Sequence, residues 1–137
     1  MSPQTIRKIG IAVFQDGKIL MARSGKNAEI FYIPGGKLEE NESDMDCLER
    51  ECLEELGVKP KIDSIKYLYT FEGPAHGKVE GTKINTKLYL SELTSEPKAS
   101  SEIEELQYFD SSTDKKHLSD FASEYIFPWL KENKYIN

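Results

Sequence analysis

The chain of 137 residues is poor in the residues that staple, anchor or decorate specialised proteins: two cysteines, two histidines, one tryptophan and no apolar run long enough to span a bilayer. Cys47 and Cys52 fall on one candidate helix, five positions apart and pointing in different directions. A helix does not offer disulfide geometry at that spacing, so a disulfide scaffold is excluded and a reducing compartment fits. The N-terminal stretch has no signal-type apolar region, and the expectation is a cytoplasmic protein without membrane contact. Basic stripes are also missing. Formal net charge is −6, which repels nucleic-acid backbones and argues against them as partners. Repeats, low-complexity tracts and domain-boundary signals are absent, so one domain over residues 1–137 is expected.

What the chain does have is concentrated between Gly36 and Val58. Met45, Leu48, Cys52 and Leu56 recur at three- and four-residue steps and share one face of a helix over residues 43–56. Ser43 is a good N-cap with Asp46 three residues on, and Gly57 is a C-terminal stop. The polar side carries Glu51 and Glu55 one turn apart, with Glu54 beside them. Glu-rich helices are common, and a charge run is usually a solvated face. Three clustered carboxylates nevertheless repel one another unless a positive charge sits among them, and hard oxygen ligands of this kind suit Mg²⁺ or Mn²⁺. Arg50 is placed to orient one of them.

Gly36, Glu42, Arg50, Glu51, Glu54, Glu55 and Gly57 stand at fixed spacing, and a chance match of seven types at about 7% each is on the order of 10⁻⁸. This pattern resembles the box of the Nudix (MutT-like) hydrolases, with Cys52 where that family usually has a branched aliphatic. Cysteine is itself a small buried hydrophobe, so the departure bears on packing. The resemblance implies an α/β/α sandwich with a mixed β-sheet, and metal-dependent hydrolysis of a nucleoside diphosphate linked to another moiety. It implies Glu51 and Glu55 as principal metal ligands, with Glu54 and the Gly35 carbonyl assisting. The general base is Glu51, Glu54 or a glutamate among Glu102, Glu104 and Glu105. Arg23 and Gly36 are implied at the substrate, and Glu42 and Arg50 as supports. For a chain of negative charge, a metal held by carboxylates would solve the approach of a phosphorylated substrate locally. The compact length resembles enzymes that cut nucleoside triphosphates, oxidised ones included, to monophosphate and pyrophosphate. Pro74, sixteen residues past Val58, is at a spacing associated with ADP-ribose enzymes. The implied partner is a small nucleotide, and the assembly a monomer or homodimer.

The remaining chain reads as strands. Residues 5–14 and 19–23 flank an Asp16-Gly17 hairpin turn. Residues 30–33 form a short strand entering a Pro34-Gly35-Gly36 turn. Residues 62–71 form a strand with Ile65, Tyr67, Tyr69 and Phe71 on one face, followed by a loop over 72–83 in which His76 and Lys78 are candidate phosphate or base contacts. Residues 84–93 return as a strand, and residues 102–109 run from acidic loop into strand. A closing helix over 117–134, with Leu118, Phe121, Tyr125 and Trp129 on one face, is kinked at Pro128.

Overall fold

Hydrophobic alternation and capping translate into two sheets and two helices. The computed structural model describes residues 4–25, 29–75 and 78–137, so His76 lies outside the described residues. The strands are β1 (Thr5–Ala12), β2 (Phe14–Gln15), β3 (Lys18–Ser24), β4 (Gly35–Lys37), β5 (Lys66–Pro74), β6 (Lys83–Leu90) and β7 (Ile103–Phe109). The helices are α1 (Asp44–Leu56) and α2 (Phe127–Glu132). One sheet has the order β4-β1-β6-β5, with β1 and β6 parallel and the other neighbours antiparallel. The second has the order β2-β3-β7.

Period-2 alternation along β1 and β3 feeds two cores. Ile9, Ile11, Val13 and Leu20 pack with Cys47, Leu48, Cys52 and Leu56 of α1. Ala12, Ile19 and Met21 pack on the other side with Phe71, Leu88, Ile126, Phe127 and Leu130. The result is an α/β/α sandwich with a mixed sheet. Among the described residues no helix is long and apolar enough to cross a membrane.

The hairpin at Asp16-Gly17 forms as expected, with φ of 53° and 75° matching a twisted two-residue turn. Helix α1 also keeps its expected ends. The Ser43 hydroxyl accepts from the Asp46 amide at 3.0 Å, the Asp46 carboxylate accepts from the Ser43 amide, and Gly57 closes the helix at φ 66°.

Five expectations change. Residues 30–33 make only isolated bridges, Phe31 to Leu118 and Tyr32 to Ala22, because each backbone is satisfied by a different neighbour before Pro34 removes a donor. The expected glycine turn instead becomes β4, which pairs with β1. On β5, a bulge between Tyr67 and Tyr69 flips the expected common face. Ile65 joins the α1 core, whereas Leu68 packs on the α2 core and Tyr69 and Phe71 meet Trp129. Strands β5 and β6 also extend into the expected loop, to Pro74 and from Lys83. Finally, the closing helix contains a π-helical turn, Ala122–Ile126, in which the Phe127 amide bonds the Ala122 carbonyl. This wider turn precedes Pro128, which has no N–H to continue the ladder. Of the expected stripe, Leu118 is buried and Phe121 and Trp129 pack on the core, while Tyr125 stays exposed and Ala122, Ile126, Phe127 and Leu130 take the deepest positions.

Beyond α2 the chain returns to the sheet. Phe14 stacks on Tyr135 at 5.2 Å between ring centres, Tyr135 on Trp129 at 5.7 Å, and Trp129 on Tyr69 at 5.2 Å. The Asn137 amide donates to the Gly17 carbonyl at 2.8 Å.

The capping box anchors the helix that carries the acidic cluster. Ser43→Ala should lower unfolding free energy by about 1 kcal/mol, read from the urea midpoint at unchanged m-value. An unchanged midpoint would show that the cap carries no stability.

Candidate active site

Strand β4 lies across α1 and brings two glycines onto two glutamates. The Gly35 amide donates to Glu55 Oε1 at 2.9 Å. A Cβ on Gly36 would stand 2.5–2.6 Å from the carboxylate of Glu51, so a larger residue there would displace that carboxylate from its present position. Gly35, at φ 141°, presses on the Ile9 carbonyl, where a Cβ would come within 1.9 Å. Close approach of backbone to carboxylate is therefore built into both positions.

Glu51 and Glu55 do not project from a solvated polar face, as the helical pattern suggests. They are 8% and 3% exposed, while the Glu54 side chain is 52% exposed. Burial raises the pKa of Glu55 to about 7, aided by the charges of Glu51, Glu102 and Glu54 and opposed by the Gly35 amide. Burial also raises that of Glu51, against the pull of Arg50.

Arg50 is the hub of this cluster. It grips Glu42 through Nε at 2.8 Å and Nη2 at 2.9 Å, and reaches Glu51 Oε1 through Nη1 at 2.6 Å. Nη2 also donates to the Lys37 carbonyl at 3.2 Å, and Glu54 lies 3.6 Å from Nη1. The forked hydrogen bonds from Arg50 hold the Glu42 carboxyl at a pKa of about 2. Nearby, both cysteines are free and buried, and burial pushes each thiol up to about 12, away from thiolate chemistry.

The three outer glutamates separate. Glu102 is exposed, accepts from the Ser101 hydroxyl at 2.9 Å, and its charge acts on Glu51 and Glu55. Glu104 lies against Gly25, 2.7 Å from where a Cβ there would stand. Glu105 is taken by Arg23, whose Nε and Nη2 reach Oε1 at 3.2 and 3.1 Å, and by Gln107. Arg23 also lies over the Phe31 ring at 6.0 Å, so this expected substrate contact is held by protein groups.

Two residues near the carboxylates escape the sequence reading, Lys8 and Tyr32. They line a cavity of about 280 Å³ with Ile33, Gly35, Thr86 and Phe121. Burial, with the charges of Glu55 and Glu102, lifts Tyr32 to about 12 and keeps it a neutral hydroxyl. Lys8 in the middle of a strand whose second half, Ile9 to Ala12, carries no charge was the available signal.

Among the described residues no three acidic, histidine or cysteine side chains already converge as a metal cage. The donors nevertheless fit a hard divalent cation in kind: two buried carboxylates at raised pKa, further carboxylates at the rim, and a glycine backbone held against them.

The buried Glu55 fixes a sign for pH dependence. Its folded pKa of about 7 lies above the ordinary 4.5, so the folded state keeps a proton that the unfolded chain releases. Between those values stability should fall as pH rises, by at most about 3 kcal/mol from this group. Glu42 acts oppositely, adding stability above its ordinary range that is lost as pH falls toward 2. In chelator, Glu55→Gln should raise the melting temperature at pH 8 and converge on the parent near pH 4.5. A parallel decline in both proteins would remove Glu55 as the cause.

Comparison with known proteins bears on the family and the fold. A family model described as the NUDIX domain matches residues 5–130. No curated protein sequence matches the chain. Among solved structures, a MutT NUDIX hydrolase from Burkholderia pseudomallei is 24% identical, with TM-score 0.72 over 90% of this chain and 98% of the other. The E. coli ORF135 protein is 21% identical, with TM-score 0.73 over 96% and 94%. An ADP-ribose pyrophosphatase from Streptococcus suis is 19% identical, with TM-score 0.64 over 94% and 92%. These likenesses concern the fold, whereas the family match spans nearly the whole chain, residues 36–58 included: the chain belongs to the Nudix hydrolase family.

Proposed function

We propose that the protein is a Mg²⁺- or Mn²⁺-dependent hydrolase that cuts the pyrophosphate linkage of a nucleoside diphosphate derivative. The favoured substrate is a nucleoside triphosphate, ordinary or oxidised, giving monophosphate and pyrophosphate. The observation that carries this reading is one juxtaposition: the buried carboxylates of Glu51 and Glu55 lie under Gly35-Gly36, and a largely apolar cavity opens at Gly35 and Gly36. A flat apolar group such as a base suits the cavity, with its phosphates directed to the carboxylate edge.

Glu51, Glu54, Glu55 and the Gly35 carbonyl would hold the cation, which when bound neutralises charge developing on the phosphoryl oxygens. Arg50 orients Glu51 from one side, and Glu42 holds Arg50 in place. Glu51, Glu54 and Glu102 are the candidate bases. Glu102 is favoured over Glu104 and Glu105 because its charge reaches the buried pair. Gly36 and Arg23 are assigned to substrate, Arg23 after release from Glu105.

An ADP-ribose substrate is the second reading, favoured by the fold of the Streptococcus suis pyrophosphatase and by Pro74 at the end of β5. Dinucleoside polyphosphates stand behind it. A non-catalytic nucleotide-binding role is disfavoured by the retention of Glu51, Glu54 and Glu55 together.

Hydrolysis should be screened with both cations over nucleoside triphosphates, oxidised nucleotides, ADP-ribose, dinucleoside polyphosphates and nucleotide sugars, with products separated by chromatography. Glu54→Gln and Glu55→Gln should each lower turnover on the best substrate by about a hundredfold or more. Near-parent rates in both would sink the assignment. Silence from a folded, metal-binding protein would favour the binding role.

A further inference from the structure

Lys8 and Lys37 face each other across β1 and β4. The Arg7 carbonyl accepts from Leu38 at 3.0 Å, and the Ile11 amide donates to Pro34 at 2.8 Å. Alternation from these two rungs puts Lys8 opposite Lys37 at a position without ladder hydrogen bonds, where cross-strand side chains come closest. Like charges there destabilise a sheet. Neither ammonium has an ion pair or hydrogen bond among the described residues, although Lys87 has Asp44 at 3.2 Å and Lys83 has Glu72 at 3.7 Å. The chain carries 24 acidic residues against 18 basic ones, so unpaired neighbouring lysines run against its composition.

The pair also sits at a particular place. Lys8, Gly10, Gly35 and Lys37 share one face of β1 and β4 by register, and Lys8 lines the cavity with Gly10, Gly35 and Thr86. On the opposite face, Gly36 rests on Glu51. Glu55 and Glu51 attract the Lys8 ammonium, but burial and Lys37 outweigh them and make it a weaker base than usual; Lys78 adds a third positive charge. A local rule of sheet stability is thus broken beside the cavity and the carboxylates, where function is the expected compensation.

We propose that Lys8, with Lys37 opposite, holds a phosphoryl group of the substrate at the boundary between the cavity and the carboxylate edge. This rests on the nucleotide reading above but needs no particular nucleoside. An anion bridging two ammonium groups replaces their repulsion with two charge-assisted hydrogen bonds. Lysine is a compact point charge suited to such a contact.

The test uses inorganic pyrophosphate in chelator, so that anion binding is read without turnover or metal. Pyrophosphate should raise the melting temperature of the parent in a saturable manner. Lys8→Met and Lys37→Met should each weaken its apparent affinity at least about tenfold, while melting at or above the parent temperature without anion, because one of two repelling charges is gone. Lys8→Arg should restore part of the shift, and Lys66→Met, on exposed β5, should leave it intact. For whichever nucleotide the parent hydrolyses, Lys8→Met should raise KM with kcat little changed. No pyrophosphate shift in the parent, or an equal shift in Lys8→Met, overturns the proposal even if hydrolysis is found. A shift that depends on Lys8, in a protein that hydrolyses nothing, leaves the anion site standing and removes the hydrolase reading.

Discussion

Two carboxylates buried next to each other are the constraint that the rest of this structure answers. Glu51 and Glu55 are nearly inaccessible, and each repels the other. Such a pair is tolerable only if neighbouring groups supply positive charge or fixed donors. The Arg50 guanidinium and the Gly35 amide do so from two directions. Arg50 is in turn fixed by its fork onto Glu42, which ties the segment before α1 to the middle of that helix. The glycines of β4 follow from the same demand, since any larger residue at position 36 would occupy the space of the Glu51 carboxylate.

Helix α1 was legible because all its information is local. Apolar spacing, the Ser43–Asp46 box and Gly57 lie within one short stretch, and the structure places them as read. The depth of Glu51 and Glu55 was not legible. Helical periodicity counts a carboxylate as solvent-seeking, and only the pairing of β4 with β1, distant in sequence, lays backbone over it. The same non-local pairing turned a glycine turn into a strand. Among Glu102, Glu104 and Glu105 the choice depended on register: the regular pairing of β3 with β7 sets Glu105 beside Arg23, and the shift that follows, between Arg23 and Ser24, leaves Glu104 without a partner position. No pattern within residues 102–109 contains that information. The bulge at Leu68 displaced a correct apolar set by one residue, and Tyr125, in the π turn before Pro128, stayed exposed.

Charge is distributed across a thin partition. Strands β1 and β4 present carboxylate neighbours on the α1 side and lysines on the cavity side, with only the backbone between. A chain whose net charge is −6 can thus still offer a local field of opposite sign within one sheet's thickness.

The aromatic column at the C-terminal end has a practical consequence. Trp129 is the only tryptophan in the chain and is sandwiched between Tyr69 of β5 and Tyr135 of the terminal segment. Its indole emission therefore reports on a junction where the last residues, β2 and β5 meet. Peeling of that terminal segment from the sheet would strip one stacked ring from the indole while leaving α1 untouched. Intrinsic fluorescence and far-ultraviolet dichroism thus observe different parts of the molecule, and their melting curves superimpose only if the sandwich unfolds as one unit.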